Sequence, residues 1–145
     1  MPVNAVTEHY RQLLAPIYQW MAGGSEAACR QGAADLAALG IRPSAGLAVD
    51  LGAGFGMHSI PLAQLGYAVE AIDSSPLLVS QLRQLASGLR IRATEADLLD
   101  FAQYLVSAPT LFYAWETPSR TFQALTMSSV CAAVSPRHWL LAAAL

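Results

Sequence analysis
VDLGAGFG, residues 49–56, carries three alternating glycines directly behind a short apolar segment, residues 47–51, with an aspartate just ahead of them. Each glycine has its own work in such a loop. Gly52 allows the tight turn out of the strand, Gly54 lets the backbone come close to a ligand, and Gly56 lets the following helix pack against the sheet. Asp50 sets a carboxylate at the strand end, where it can accept hydrogen bonds from an ammonium group. Asp73, 21 residues beyond Gly52, falls at the end of the next strand, where its carboxylate can accept from both hydroxyls of a ribose. Together these residues describe a loop that binds a nucleotide-containing cofactor.

Outward from the loop the periodicity alternates. Residues 57–65 read as a helix ended by Gly66, and residues 67–72 as a second strand. Ser75 then offers a capping hydroxyl and Pro76 takes the first helical position. Leu78, Leu82 and Leu85 give that helix one apolar face before it stops near Gly88. Residues 89–95 alternate as a third strand, with Asp97 behind it. Upstream, Tyr10, Leu13, Leu14, Ile17, Tyr18 and Met21 recur at helical spacing, and Pro16 predicts a kink or two short helices there. Gly23 and Gly24 break the pattern, Ser25 is placed to cap a helix through Leu39, and Gly40 followed by Ile41 is placed to close it. Strands and helices in strict alternation, with short connections, predict a parallel sheet with helices on its faces.

Composition narrows the partners. At 145 residues the chain has room for one ordinary domain. A formal charge of −2 and a pI near 5.8 give no reason to expect nucleic acid or an anionic membrane. No apolar run approaches the roughly 20 residues that span a bilayer, and the amino terminus lacks the pattern of a secretory signal. Cys29 and Cys131 stand in unlike contexts, which gives no support to a disulfide or a metal site and makes a reducing, cytoplasmic compartment the expectation.

Other polar and aromatic residues read less sharply. Phe55 is expected to pack the loop, and His58 to lie on a helix surface or cap it locally rather than act as a base. Asp97 is open between capping the next turn and meeting an adenine amino group. His9 and Tyr10 either close over the cofactor or simply fill the first helix.

Three stretches, VDLGAGFGMHSIPLAQLGYAVEAID, SSPLLVSQLRQLA and ATEADLLDF, resemble the class I S-adenosylmethionine-dependent methyltransferases of the small-molecule type. They span residues 47–101, and the preceding HYRQLLAPIYQWM is similar to the helix lying over the cofactor in that family. The resemblance implies an α/β, Rossmann-like three-layer sandwich and S-adenosyl-L-methionine as cofactor. It implies that Asp50 orients the methionine ammonium and that Gly52, Ala53, Gly54 and Gly56 border the methionine and ribose. Asp73 would hold the ribose hydroxyls with Ser74 beside it, and Asp97 with Leu98 would flank the adenine. It also implies a small-molecule methyl acceptor, which the stretches do not identify. A dinucleotide enzyme is the rival reading, but its fingerprint is GxGxxG and the spacing here is GxGxG.

The tail departs from that pattern. Residues 108–145 contain one acid and two arginines, show no strand–helix alternation, and place Trp115 and Trp139 in unpatterned surroundings. Read one base out of frame, the codons across Phe112 and Tyr113 must give Leu and those across Trp115 and Glu116 must give Gly. The permitted strings include DLILCMGDT at residues 109–118 and LAPGGRF at residues 138–145, both similar to later segments of the same family and in family order. The expectation is therefore a helical segment at 1–43, a cofactor-binding half-domain at 44–107, and an out-of-frame tail at 108–145. On that expectation the sheet is truncated after its third parallel strand, the edge beside the glycine loop is open to self-association, and no residue is assigned as catalytic. A non-catalytic partner module remains the alternative.

Overall fold
The computed structural model describes residues 15–97, 100, 103–104, 111–114 and 123–126. His9, Tyr10, Leu13, Leu14, Leu98, Trp115 and Trp139 lie outside those residues. The chain enters with α1 (Ala15–Met21), in which Pro16 stands in the first turn, where its missing N–H costs no helical bond. Next comes α2 (Ser25–Ala38). Its N-cap is Gly24 rather than Ser25: Gly24 has φ 93° and no side chain caps the helix, while Ser25 is already its first residue. A glycine in that backbone region turns the chain sharply where a serine would be strained.

The far end of α2 closes as the sequence suggests. Gly40, at φ 73°, donates to the Ala37 carbonyl, and the Ile41 N–H donates to the Leu36 carbonyl, both at 3.0 Å. These two bonds form a Schellman motif. Ile41 packs on the core cluster that contains Leu36.

The sheet begins with β1 (Leu47–Leu51). From there α3 (Ser59–Gln64) leads to β2 (Ala68–Asp73), and α4 (Pro76–Leu85) leads to β3 (Ile91–Glu95). Both strand pairs are parallel, with Leu47 opposite Ala68 and Val69 opposite Ile91. All of β1 and β2 beyond their first residues is buried, as strands covered on both faces must be. Right-handed crossovers that step the same way along a sheet put their helices on one face. Accordingly Ile60 and Leu62 of α3 and Val79 and Leu82 of α4 share one cluster with Ala48, Val69, Ala71 and Ala93 of the strands. Ser75 caps α4 by accepting from the Leu78 N–H at 3.4 Å, with Pro76 at the first helical position. The buried stripe of α4 is Leu78, Val79 and Leu82 rather than Leu78, Leu82 and Leu85. Leu85, the last helical residue, is 38 % exposed.

The sheet does not stop at β3. β4 (Leu111–Ala114) lies parallel to β1 on its other side, Ala48 opposite Leu111 through Leu51 opposite Ala114. β5 (Gln123–Thr126) then returns antiparallel to β4, giving the order β3-β2-β1-β4-β5. The truncation expected after the third strand, with an open edge at β1, is corrected on this point. The physical reason is that β1 offers a row of backbone donors and acceptors that must be satisfied, and a ladder takes any extended segment. Leu, Phe and Tyr suit a strand in either case.

A tight helix-to-loop contact supports this arrangement from behind. A Cβ on Gly32, in α2, would overlap the Met57 carbonyl. Gly32→Ala is expected to destabilise the chain by about 1–3 kcal/mol, as overpacking does, despite alanine's higher helix propensity. Urea unfolding of the full chain reads the difference; an unchanged midpoint overturns the contact's importance.

Candidate cofactor site
The glycine loop leaves the carboxyl end of β1, between strands β2 and β4. Connections run to opposite sides from that point, and this is where open α/β sheets bind ligands. Gly52, Gly54 and Gly56 all have positive φ, at 72°, 58° and 104°, so the alternating glycines answer a backbone need at each position. The N–H groups of Gly52 and Ala53 both donate to the Ile72 carbonyl, at 2.9 and 3.1 Å, and the Gly56 N–H donates back to Ala53. A Cβ on Gly56 would overlap Leu82 of α4 and press on Ile60. The helix that needs this glycine is therefore α4 as well as the one that follows it.

Asp73 joins the loop to β2. Its Oδ2 accepts from the Gly54 N–H at 2.9 Å and its Oδ1 from the Ser75 N–H at 2.8 Å. Burial pushes this carboxyl above the ordinary range, while the N–H groups of Ser75, Gly54 and Ser74 pull the other way. Ser74 is half-buried beside it. Three backbone N–H groups act on its two oxygens, which leaves the carboxylate room to accept from a hydroxyl as well.

Asp50 is more deeply placed, at 1 % exposure. Its Oδ2 accepts from the Ser59 hydroxyl at 2.5 Å. Burial raises it to about 7, the Ser59 hydroxyl lowers it, and the neighbouring Asp73 raises it further. Tyr18 of α1 lies over the loop, its ring 3.5 Å from where a Gly54 Cβ would sit and edge-on to Phe55 at 5.8 Å between centroids. Its phenol is pushed up by burial, then by Asp73 and by Asp50. Two carboxyls and a phenol thus converge on the loop. A cation with hydroxyl donors is the ligand chemistry that this cluster suits.

The remaining sequence candidates fall as follows. Phe55 is fully buried and packs with Ala28 and Leu78. His58 does not lie on a helix surface: it is 5 % exposed, and Nε2 meets Asp35 Oδ2 at 3.1 Å. Asp97 is exposed at the end of β3, and its backbone carbonyl accepts from the Asp100 N–H at 3.0 Å, opening a turn. Ala96 beside it donates to the Asp73 carbonyl at 3.0 Å. Ser59, Gly32 and Asp35 escaped the sequence reading. Ser59, nine residues after Asp50, looks like any helix-start serine, and Gly32 like any tolerated helical glycine. Among the described residues no group of three His, Cys, Asp or Glu could hold a metal ion, and no helix is long and apolar enough to cross a membrane.

A parallel β3-β2-β1-β4 order with a glycine loop at the carboxyl end of β1 is a Rossmann-like fold, one that solved methyltransferases share. Magnesium protoporphyrin IX methyltransferase from Synechocystis PCC 6803 superposes on this chain with a TM-score of 0.59 in its complex with SAM. The match covers 79 % of this chain and 61 % of that one at 24 % identity. The same enzyme with bound SAH gives a TM-score of 0.60 at 22 % identity, covering 79 % and 58 %. A protein from the conversion of a disulfide bond into a thioacetal group during echinomycin biosynthesis is 36 % identical over 47 % of this chain and 28 % of its own, at a TM-score of 0.41. The chain thus spans less than two thirds of the length of each of these three structures. No protein-family model matches the chain, and no curated protein matches it in sequence.

The Asp50 environment sets a pH dependence with a definite sign. Between about 3.8 and about 7 the folded chain keeps a proton on Asp50 that the unfolded chain has released. Stability from this group therefore falls as pH rises through that interval. Asp50→Asn removes the term. The stability of the variant relative to the unaltered chain is expected to rise by on the order of 4 kcal/mol between about pH 4 and about pH 7.5. Urea titrations at several pH values measure it, and a difference independent of pH overturns the assignment.

Proposed function
We propose that the chain binds S-adenosylmethionine at this loop and derives from a methyltransferase acting on a small molecule. The observation that carries the reading is the pairing of a buried acid at the end of β1 with a loop-bound acid at the end of β2. Asp73 accepts backbone N–H groups through both oxygens and stands at the end of β2 beside the loop, where a ribose hydroxyl would meet it. Asp50 and Asp73 together set two carboxyls side by side, whose ionised forms a ligand carrying ammonium and sulfonium charge would favour. Gly52, Ala53, Gly54 and Gly56 present the backbone along which such a ligand would lie. Ser74 and, at the end of β3, Asp97 and Leu98 complete the set, Leu98 being outside the described residues.

When bound, the cofactor supplies an electrophilic methyl group. What this chain's own residues contribute is charge, orientation and exclusion of water: Asp50 beneath the site, Asp73 at its edge, and Tyr18 over the loop. No acceptor-side residue is assigned. The small-molecule acceptor follows the fold neighbours, one of which is named for magnesium protoporphyrin IX. The division at residues 44–107 rests on the same ground, since every loop contact described above lies within residues 15–97. We read residues 108–145 as out-of-frame translation of a longer methyltransferase, which makes the present chain weak or inactive in catalysis.

S-Adenosylhomocysteine at about 100 times its Kd is expected to stabilise the full chain by about 2.7 kcal/mol, with no effect of NAD. A shift with NAD and none with S-adenosylhomocysteine sinks the reading in favour of a dinucleotide protein, and no shift with either favours a partner module. For the tail, resequencing the gene and transcript across codons 100–120 is expected to reveal an additional base. Its absence from both leaves the encoded tail genuine to this gene.

A further inference from the structure
Three consecutive residues at the exit of the glycine loop are met in turn by three residues of α2. The Cys29 thiol approaches the Gly56 carbonyl at 3.9 Å. Gly32 lies so close to the Met57 carbonyl that no Cβ fits between them. Asp35 Oδ2 stands 3.1 Å from His58 Nε2. Cys29, Gly32 and Asp35 are three apart, so they share one face of the helix and climb about 4.5 Å at each step. Successive Cα atoms of the loop are about 3.8 Å apart. The two backbones therefore run in step over Gly56, Met57 and His58.

Of the three contacts only the last is strongly polar, and both its members are largely enclosed, with side-chain exposures of 6 % for His58 and 17 % for Asp35. A carboxylate oxygen accepts, so Nε2 is the nitrogen that carries the hydrogen in this pair. Asp35 is itself steadied one turn back, where Gln31 Nε2 donates to its Oδ1 at 2.9 Å. The His58 carbonyl receives the Leu62 N–H and the Gly56 carbonyl the Ile60 N–H, each at 3.0 Å. Whatever holds His58 thus holds the first turn of α3 and, through Gly56, the end of the glycine loop. Ser59, the hydroxyl donor to Asp50, is the next residue along.

We infer that the Asp35–His58 pair is a positioning latch that fixes the glycine loop from behind, although neither residue faces the cofactor side. Its consequence for ligand affinity rests on the cofactor reading above; its consequence for loop rigidity does not. Asp35→Ala leaves the imidazole without its acceptor, whereas Asp35→Asn keeps a side-chain oxygen that can accept from Nε2. Amide hydrogen exchange on the full, ligand-free chain is the test, read at Gly56, Ile60 and Leu62 and compared with Val69 and Ala86.

Exchange at the first three amides is expected to quicken about tenfold or more in Asp35→Ala, the fold-change that a lost charge-assisted hydrogen bond carries. Val69 and Ala86 should keep their rates, and Asp35→Asn should stay close to the unaltered chain. Equal acceleration at all five amides, or none at Gly56, Ile60 and Leu62, overturns the latch, as does failure of Asp35→Asn to restore them. Titration with S-adenosylhomocysteine in parallel separates the two readings. A tenfold weaker Kd in Asp35→Ala alone supports the positioning role in binding, and an unchanged Kd overturns that role. Failure of the unaltered chain to bind the ligand overturns the cofactor reading, while the exchange rates still decide the latch.

Discussion
The Asp73 carboxylate holds two pieces of backbone at once, and the geometry of the site depends on it. One oxygen takes the Gly54 N–H and the other the Ser75 N–H. The first bond reaches back 19 residues to the centre of the glycine loop, and the second fixes the turn into α4. Gly54 is a glycine at positive φ, so a long-range bond there removes more backbone freedom than it would at a strand residue. The two donors are buried with the acid, and an unsatisfied buried N–H costs roughly 1–3 kcal/mol. Loop shape and carboxylate position are therefore one property. A group able to receive hydroxyls is delivered at the end of β2 only because the loop beside β1 is folded, and the reverse holds equally.

Placing a second acid behind the first is costly, and the cost has a use. Asp50 sits in the fully buried part of the sheet, next to Asp73, with the Ser59 hydroxyl partly compensating. Burial and like charge both disfavour ionisation, which holds the Asp50 carboxyl well above the ordinary carboxylate range. Two raised acids at a switch point mark a candidate functional site. Burial first, and then these two acids, push up the phenol of Tyr18 over the same loop, since their field opposes any further negative charge.

What could be read from sequence follows from how local each cause is. The strands, Ser75 with Pro76, and Gly40 with Ile41 act through neighbours within a few residues, and they stand where the periodicity and capping chemistry put them. Asp50, Asp73 and the three glycines were legible because their spacing reflects one βαβ unit. The failures are long-range. His58 does stand at the N-cap of α3, one of the two places expected, but its side chain is buried against a partner, Asp35, that is 23 positions away. Ser59 gained its meaning from Asp50, and Gly32 from a carbonyl 25 residues on. Ser25 was misplaced by one residue because a glycine with φ 93° can end the preceding turn and cap the helix without any side chain.

The β4 pairing shows the opposite limit, where structure tolerates what the pattern does not announce. β1 is the central strand, and both its edges are paired. The β2 side adds side-chain and loop bonds to the ladder, through Ile72 and Asp73. A ladder made by backbone alone needs an extended segment of about four residues and little else. The loop, by contrast, needs particular residues at Gly32, Asp50, Gly54, Gly56, Ser59 and Asp73. Among the described residues, the geometry of the glycine loop is therefore built by contacts within residues 15–97, and β4 joins it through the ladder with β1.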